Sequence, residues 1–485
     1  MLRRIVTVLC VLVIAILLPM PTYAYEFLFG ESAFLELKGD LTYSVKARME
    51  DPDPLLVGDS KGNSNFENGD IVNNKVIARM ETTFDAPYVT FFGKFEAFQD
   101  SVYTDDELYP DGTDIEVAKS YAASRMDALE YYLDLHSESV TLRLGKQIVE
   151  WGELAAPVYA PGVNVMNMYD GSRVAAAGYT VRDYKVPAQT AWLSYEMTSN
   201  MSLEAVYSQD FEPRNSMAVV GTYGSFMDNF GFGGPGMAGI EEKRPTEAED
   251  MQQYGAAARM VFPSLGNLEL GIFTAHYLSW MPMVDAIAGE ITYEELDMYG
   301  ITLSQVIGDW QTYGEFSYRP NQPAQMRLGD TILPVGGFEQ VRTFNWGFGG
   351  MAMFSDFFSF TPWTFQFAPL IEFYGGNNLD YDETKNFAVP EQTTYYMISL
   401  SFSSSDMIDN TALTYGLSMS GPLHEEESGF YSLGNTITAR VGDNIGLMLG
   451  YDIKAGDAKK AGPYGSPGYA PDRDALTLGF TWYFM

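Results

Sequence analysis

Cysteine and histidine are both scarce in this chain of 485 residues. The single cysteine, Cys10, lies in an apolar run near the start, and no lipid-attachment motif follows it. We therefore expect neither disulfides nor thiol chemistry beyond that run. The three histidines, His136, His276 and His424, lie in separate segments without a recognisable nucleophile arrangement. The sequence thus gives no support for an enzyme, and it indicates no cofactor.

Long apolar runs and positive charge are also missing. After residue 24 no stretch approaches the 18 or more consecutive apolar residues of a membrane-spanning helix, which excludes a helical membrane protein. The chain has 29 Lys and Arg against 64 Asp and Glu, a formal net charge of −35. This acidity argues against nucleic acid as a partner. The acidic loops lack the ligand spacing of a dedicated calcium loop, so we predict no metal site.

The first 24 residues have the features of a secretory signal peptide. Arg3 and Arg4 precede the apolar run, and the small-residue pattern that ends at Ala24 is typical of a cleavage site. We expect residues 1–24 to be removed and residues 25–485 to form a single domain.

What the remaining sequence has is alternation with a period of two. Apolar residues occupy every second position from 476 to 484, and residues 35–49 alternate between apolar side chains and charged or polar ones. A soluble strand would not expose so many large apolar groups, whereas a strand between lipid and a wet lumen has this pattern. The aromatic-ended last strand also resembles the signal read by the outer-membrane assembly machinery, which we expect as a partner.

Segments of this kind recur eighteen times and predict an all-β fold. Short turns alternate strictly with long polar loops, as in a transmembrane antiparallel up-and-down β-barrel with periplasmic turns and extracellular loops. One missed or extra hairpin would give sixteen or twenty strands. The predicted strands lie near 34–49, 74–86, 88–99, 127–137, 139–149, 187–197, 201–211, 252–262, 267–278, 296–306, 309–319, 343–355, 362–374, 393–402, 410–420, 430–441, 444–454 and 474–484.

Charged side chains fall on the face of the strands that is predicted to line the lumen. A water-filled lumen keeps them solvated, and opposite signs across a pore would orient polar solutes. Each of them could equally be a lumen charge that merely suits water. The strand residues that we consider as candidates for the pore lining are Arg48, Arg79, Lys94, Arg143, Glu315, Arg319 and Arg440.

The long loop 150–186 is unusually apolar for a surface loop. Because apolar groups seek burial and the lumen is the nearest shelter, we predict that it folds inward and narrows the pore. A lid packed over the mouth is the competing interpretation. The loop residues that we consider as constriction candidates are Trp151, Glu153, Asn164 and Asn167.

Three segments resemble a large family of Gram-negative outer-membrane barrels that is catalogued as a domain of unknown function. They are residues 142–153 with a Gly-Lys-Gln and a Trp-Gly-Glu motif, residues 253–282, and residues 314–323 with Ser-Tyr-Arg-Pro-Asn-Gln-Pro. Trp280 and Met281 depart from the family's pattern. The resemblance implies an outer-membrane barrel, with Trp151, Glu153 and Arg319 at loop bases near the pore, and it implies no substrate.

Three functions fit these features. The leading hypothesis is a porin-like channel for passive, selective diffusion of small solutes across the outer membrane of a Gram-negative bacterium. The second is a transporter of hydrophobic or lipid-like compounds, favoured by the aromatic loops and 25 Met. The third is a structural or adhesive barrel. In each case outer-membrane lipid and lipopolysaccharide are expected partners, the latter bridged to the acidic loops by divalent ions.

Overall fold

Eighteen antiparallel strands form a closed barrel, in a computed structural model of the chain. Each strand pairs with its neighbours in chain order. The first barrel strand, β2 (Ala33–Arg48), closes the sheet by pairing with the last, β22 (Ala475–Phe484), from Gly39↔Phe484 to Arg48↔Ala475. The structure describes residues 25–30, 32–54, 61–154, 162–174, 178–179, 181–211, 218–225, 241–243, 251–279, 283–285, 287–327, 336–355, 357, 363–388, 390–423, 430–456 and 472–484. The predicted signal peptide lies outside these ranges.

The barrel strands match the eighteen predicted ones. Their bounds are β2 (Ala33–Arg48), β3 (Ile71–Ala86), β4 (Val89–Asp100), β5 (Ser124–His136), β6 (Val140–Gln147), β7 (Ala188–Thr198), β8 (Met201–Ser208), β10 (Gln253–Phe262), β11 (Leu268–Leu278), β14 (Glu295–Ile307), β15 (Trp310–Gln325), β16 (Phe338–Ala352), β17 (Gln366–Asn378), β18 (Gln392–Ile408), β19 (Thr411–Pro422), β20 (Phe430–Val441), β21 (Ile445–Gly456) and β22 (Ala475–Phe484).

Short elements lie outside the barrel order. The strand β1 (Tyr25–Phe29) was not predicted, and it pairs antiparallel with the start of β2. A small sheet joins β9 (Glu241–Lys243), β12 (Met283–Asp285) and β13 (Glu290–Thr292). The helices are α1 (Lys61–Ser64), α2 (Ile115–Ala122) and α3 (Gly171–Val174), with 3-10 turns at Val102–Thr104, Asp106–Leu108, Val181–Tyr184 and Pro263–Leu265. Within the described ranges, no helix has the length and apolarity needed to cross a membrane.

Two connections differ from the prediction. The strand β15 runs on to Gln325 in spite of Pro320 and Pro323, because a register shift between Arg319 and Gln322 accommodates them. The predicted turn between β16 and β17 is longer than expected, since β17 begins only at Gln366. Otherwise short connections and long ones alternate, and they define a turn end and a loop end of the barrel.

The outward face of the barrel is apolar and exposed. Ile272 is 48% exposed and Phe348 is 47% exposed, and both alternate with inward residues along their strands. Buried apolar residues instead lie inside the barrel and among the loops. This arrangement puts the apolar band where a transmembrane barrel meets lipid.

The loop end is tied together by the buried side chain of Arg48. Its guanidinium lies 3.0 Å from the Asp472 carboxylate and donates to the Asn63 and Phe66 carbonyl oxygens. Nearby, Phe66 and Tyr223 pack edge to face within an apolar cluster shared by three loops. Further hydrogen bonds support this buried ion pair, since one Asp472 carboxylate oxygen also accepts from the Asp53 backbone N–H and from the Asn63 side chain. The loops before β3 and before β22 are therefore joined.

The closing seam at the turn end depends on Gly39. A Cβ atom at this position would lie 2.6 Å from the Phe484 ring and would also collide with the Arg79 carbonyl oxygen. Because that carbonyl belongs to the backbone of β3, it cannot move cheaply. The aromatic ring of the last strand thus packs directly over a strand that has no side chain at this point.

We expect Gly39→Ala to weaken the seam and to lower the free energy of unfolding by about 1–3 kcal/mol, the usual cost of overpacking. Urea titration of the refolded protein in detergent micelles, followed by its heat-dependent gel mobility, measures this. Gly450→Ala is the matched control, because its nearest neighbour would lie 3.4 Å away. Equal midpoints for the two variants would contradict this account of the seam.

Candidate functional site

The described residues in the first half of loop 150–186 pack against the inner wall of the barrel. Trp151 is 2% exposed and lies 5.6 Å from the inward Phe273 ring of β11, centroid to centroid. Val163 is fully buried, in a cluster with Tyr277 and Met298 from β11 and β14. Phe273 faces the lumen, since both of its neighbours in the sequence are exposed on the outside, and Tyr277 and Met298 share its buried cluster. Apolar loop side chains thus cover an apolar sector of the inner wall.

The Glu315 carboxylate of β15 holds this half of the loop through its main chain. One carboxylate oxygen accepts hydrogen bonds from the backbone N–H groups of Glu153 and Leu154, the latter at 2.8 Å. The other oxygen accepts from the Val163 N–H at 3.1 Å. The Glu315 side chain is buried, and backbone N–H groups that converge on a carboxylate form strong, charge-assisted bonds. We call this arrangement the Glu315 cradle.

Two glycines make the cradle possible. A Cβ at either Gly152 or Gly162 would collide with the Glu315 carboxylate. Only a residue without a side chain lets the backbone approach the carboxylate so closely. The Trp-Gly-Glu motif and the Gly-Val-Asn segment that follows it therefore meet at one carboxylate.

Two arginines of the wall extend the same contact. Arg319 donates to the Gly162 carbonyl oxygen at 3.0 Å, and Arg259 donates to the Trp151 carbonyl oxygen at 2.8 Å. Arg259 also pairs with Glu204 at 3.1 Å, and the same Glu204 carboxylate accepts from the Trp151 indole N–H at 3.1 Å. The wall thus satisfies loop carbonyl groups as well as loop N–H groups.

Asn164 and Asn167 brace the loop from within. The Asn164 side-chain oxygen accepts from the backbone N–H of Trp151 and from that of Gly152 at 2.8 Å. The Asn167 side chain accepts from the Val149 N–H at 2.7 Å and donates to the carbonyl oxygens of residues 147 and 186. Both asparagines hold the loop's fold. In these contacts their side-chain oxygen and nitrogen atoms bind backbone groups of the protein rather than a solute.

The second half of the loop contacts the opposite wall through ion pairs. Glu96 of β4 lies 3.0 Å from Arg173 of the loop and 3.0 Å from Arg79 of β3. Asp183 of the loop lies 3.2 Å from Lys94. The strand order places β3 and β15 on opposite sides of the barrel, with as many strands between them in one direction as in the other. The described parts of the loop therefore reach both sides of the lumen.

The remaining candidates have separate positions. Arg143 forms two hydrogen bonds of 2.7 Å with Asp134, and its guanidinium lies 4.0 Å from the centre of the Tyr132 ring. Arg48 is buried among the loops and is not accessible to a solute. Arg440 is exposed near the turn end of β20 and donates to the Asp443 carbonyl oxygen. The structure thus places six candidates at the Glu315 side of the loop and two, Arg79 and Lys94, at the opposite wall, while Arg48, Arg143 and Arg440 lie apart from both groups.

Glu153 is the loop carboxylate with the most unusual environment. Burial raises the pKa of this group, and the nearby Glu269 and Glu315 carboxylates raise it further, while Arg259 lowers it. Its backbone is fixed by the cradle, whereas its carboxyl group stands among other acids. As the pH falls, Glu153 is therefore expected to bind a proton at a higher pH than an ordinary glutamate does.

Glu204, Arg173 and Asp183 were missed as site residues in the sequence. The period of two does place Glu204 on the inward face of β8, so that residue was within reach. Arg173 and Asp183 lie in an irregular loop, and no repeating pattern marks their side chains.

His276 contacts an acid, Asp297, that lies 21 residues away in the sequence. His276 lies opposite Asp297 in the β11–β14 register, with its Nδ1 atom 2.9 Å from a carboxylate oxygen, and its ring stacks on Tyr254. The pair faces outward, because it alternates with inward residues of β11. Among the hydrogen bonds of the described residues, none joins His276 to a serine or threonine hydroxyl. In the same part of the chain, no cluster of three potential metal ligands occurs.

Comparison with known proteins gives one family match over nearly the whole sequence. The family model described as "Protein of unknown function (DUF1302)" matches residues 5–484. The chain belongs to this family. No curated protein matches the chain in sequence. The resemblance noted in the sequence is thus confirmed at the level of the family, which has no assigned function.

Solved barrels of similar architecture share little sequence with this member of the family. OmpF of Salmonella typhi, in complex with daunomycin, is 9% identical over 95% of this chain and 100% of its own, with a TM-score of 0.44. OccAB1 of Acinetobacter baumannii is 10% identical over 92% and 96%, with a TM-score of 0.46. OccK2 (OpdF) of Pseudomonas aeruginosa, in complex with glucuronate, is 10% identical over 92% and 98%, with a TM-score of 0.43. None of these likenesses indicates a solute for the family member described here.

We expect Glu315→Gln to loosen the first half of the loop. Losing the carboxylate charge weakens three charge-assisted hydrogen bonds, so amide exchange of residues 150–166 is expected to speed up by roughly tenfold or more. Hydrogen exchange followed by mass spectrometry in detergent micelles measures this. Glu36→Gln is the control, because Glu36 pairs only weakly with Lys38, at 3.9 Å. Unchanged exchange in the Glu315 variant would show that the cradle does not hold the loop.

Proposed function

We propose that the protein is a passive outer-membrane channel whose passage is narrowed by loop 150–186. The observation that carries this proposal is that the loop contacts one part of the inner wall and leaves another part exposed. The loop contacts the inner wall around β2–β4 and from β8 to β15, while the inward Thr436 and Thr438 of β20 are exposed. A lumen that is filled on one side and exposed to solvent on the other is the geometry of a restricted water-filled pore.

The contacts of the loop support a fixed constriction rather than a mobile lid. Its first half is held by the Glu315 cradle and its second half by the ion pairs of Glu96 and Asp183. Buried polar groups that are all satisfied make a segment rigid. Passage would then be selected by size and charge, and it would need no energy source.

The other partners that we propose contact the outer surface of the barrel, its loop end or its last strand. We propose lipid against the exposed apolar band, lipopolysaccharide against the acidic loop end, and the assembly machinery at the last strand. The small solute, or a hydrophobic ligand in the alternative function, would enter from the loop end. No chemical step is part of this proposal.

The purified protein in planar lipid bilayers is expected to give stable current steps. Arg440→Gln is expected to shift the reversal potential under a salt gradient by a few millivolts toward cation preference, because it removes an exposed positive charge. Arg342→Gln is the control, since Arg342 is exposed outside the lumen and pairs with Asp380.

Two results would count against the channel function, and a third would count against the role given to Arg440. Silent bilayers with co-purified lipid or fatty ligand would favour the hydrophobic transporter. Silent bilayers without any ligand would favour the adhesive barrel. Equal reversal potentials for wild type and Arg440→Gln would remove Arg440 from the pore lining.

A further inference from the structure

The inner face of β18–β22 is built largely from small and hydroxyl-bearing residues, with Met397 and Met448 among the exceptions. In one row across these strands, Ser401 pairs with Gly416, Gly416 with Thr436, Thr436 with Gly450, and Gly450 with Thr477. The outward neighbours of these positions are large and apolar, for example Ile437. We call this inner surface of β18–β22 the hydroxyl face.

Charge is confined to the two ends of the hydroxyl face. Within β18–β22, whose residues are all described, the charged residues are Asp406 and Arg440 toward the turn end and Asp452 and Lys454 toward the loop end. Between these ends the five strands carry no ionisable acid or base. A solute that moves along this face therefore meets mainly hydroxyl groups and glycine backbone over the middle of the barrel.

The facing half of the lumen carries its charges in pairs. Arg79 is paired with Glu96, Lys94 with Asp183, and Arg259 with both Glu204 and Glu269. Paired charges produce a weaker field in the lumen than isolated ones, because opposite signs cancel over a short distance. These paired groups therefore offer little net attraction to a solute of either sign.

Several hydroxyl groups of the hydroxyl face are open to solvent. Ser418, Thr436 and Thr438 are exposed although they point into the barrel. Hydroxyls both donate and accept hydrogen bonds, so they can replace the water around another hydroxyl group at little cost. They cannot replace the hydration of an ion in the same way, because they carry no compensating charge.

We infer that the hydroxyl face is the path for uncharged, hydroxyl-rich solutes, and that such solutes are the preferred substrate class of the channel. This inference rests on the proposed channel function. Binding along the path is weak and repeated, which favours passage over retention. Because the loop is held on the other side of the lumen, the space that remains for a solute lies along this face.

Tracer efflux from proteoliposomes in symmetrical KCl tests the substrate class. The probes are glucose, gluconate and glucosamine, which are similar in size and are neutral, negative and positive at neutral pH. We expect glucose to leave fastest. Efflux of gluconate or glucosamine at the same rate as glucose, or faster, would overturn the inference and leave the channel function standing. Efflux of none of the three would overturn the channel function itself.

The double variant Thr436→Val/Thr438→Val tests the path. Valine keeps the shape of threonine and removes its hydroxyl, so we expect glucose efflux about threefold slower, as for the loss of about one net hydrogen bond. Thr274→Val is the matched control, because Thr274 is exposed on the outward face of β11. Wild-type glucose efflux in the double variant would show that the path does not follow β20.

Discussion

Backbone N–H and C=O groups that cross hydrocarbon have to be hydrogen-bonded within the protein, and the rest of this structure depends on that constraint. The pairing of β2 with β22 meets it, because it leaves the sheet without an open edge. Closure then divides each strand into a dry outer face and a wet inner face. Apolar and polar side chains alternate along the sequence because successive residues of a strand point to opposite faces.

The same constraint explains how a loop can lie inside the barrel. Its backbone loses water when it packs on the inner wall, so its N–H and C=O groups need partners there. Glu315 supplies an acceptor for three N–H groups, while Arg259 and Arg319 supply donors for two carbonyl groups. The inward charges of β10 and β15 are thus used in part to hold the loop, and the opposite wall uses Glu96 and Lys94 in the same way.

Most of the fold could be predicted from the sequence, whereas only part of the candidate site could. The eighteen strands could be predicted because apolar and polar residues alternate with a period of two, and this pattern can be recognised within each strand by itself. Glu315 and Arg319 could be placed on the inward face of β15 by the same signal. Their partners could not be found, because Gly152, Gly162 and Val163 lie in a loop whose path is set by contacts distant in sequence. The strand β1 escaped prediction because five residues are too few to establish a period.

An anchor that binds main-chain N–H groups places few demands on the side chains of the residues that it holds. The Glu315 carboxylate contacts N–H groups that any residue other than proline would provide, and only Gly152 and Gly162 are restricted, by the lack of room for a Cβ. The side chain of Glu153, whose N–H is one of those held, can therefore be exchanged while the anchor stays in place. Related barrels could vary their permeability by such exchanges on a frame that does not change.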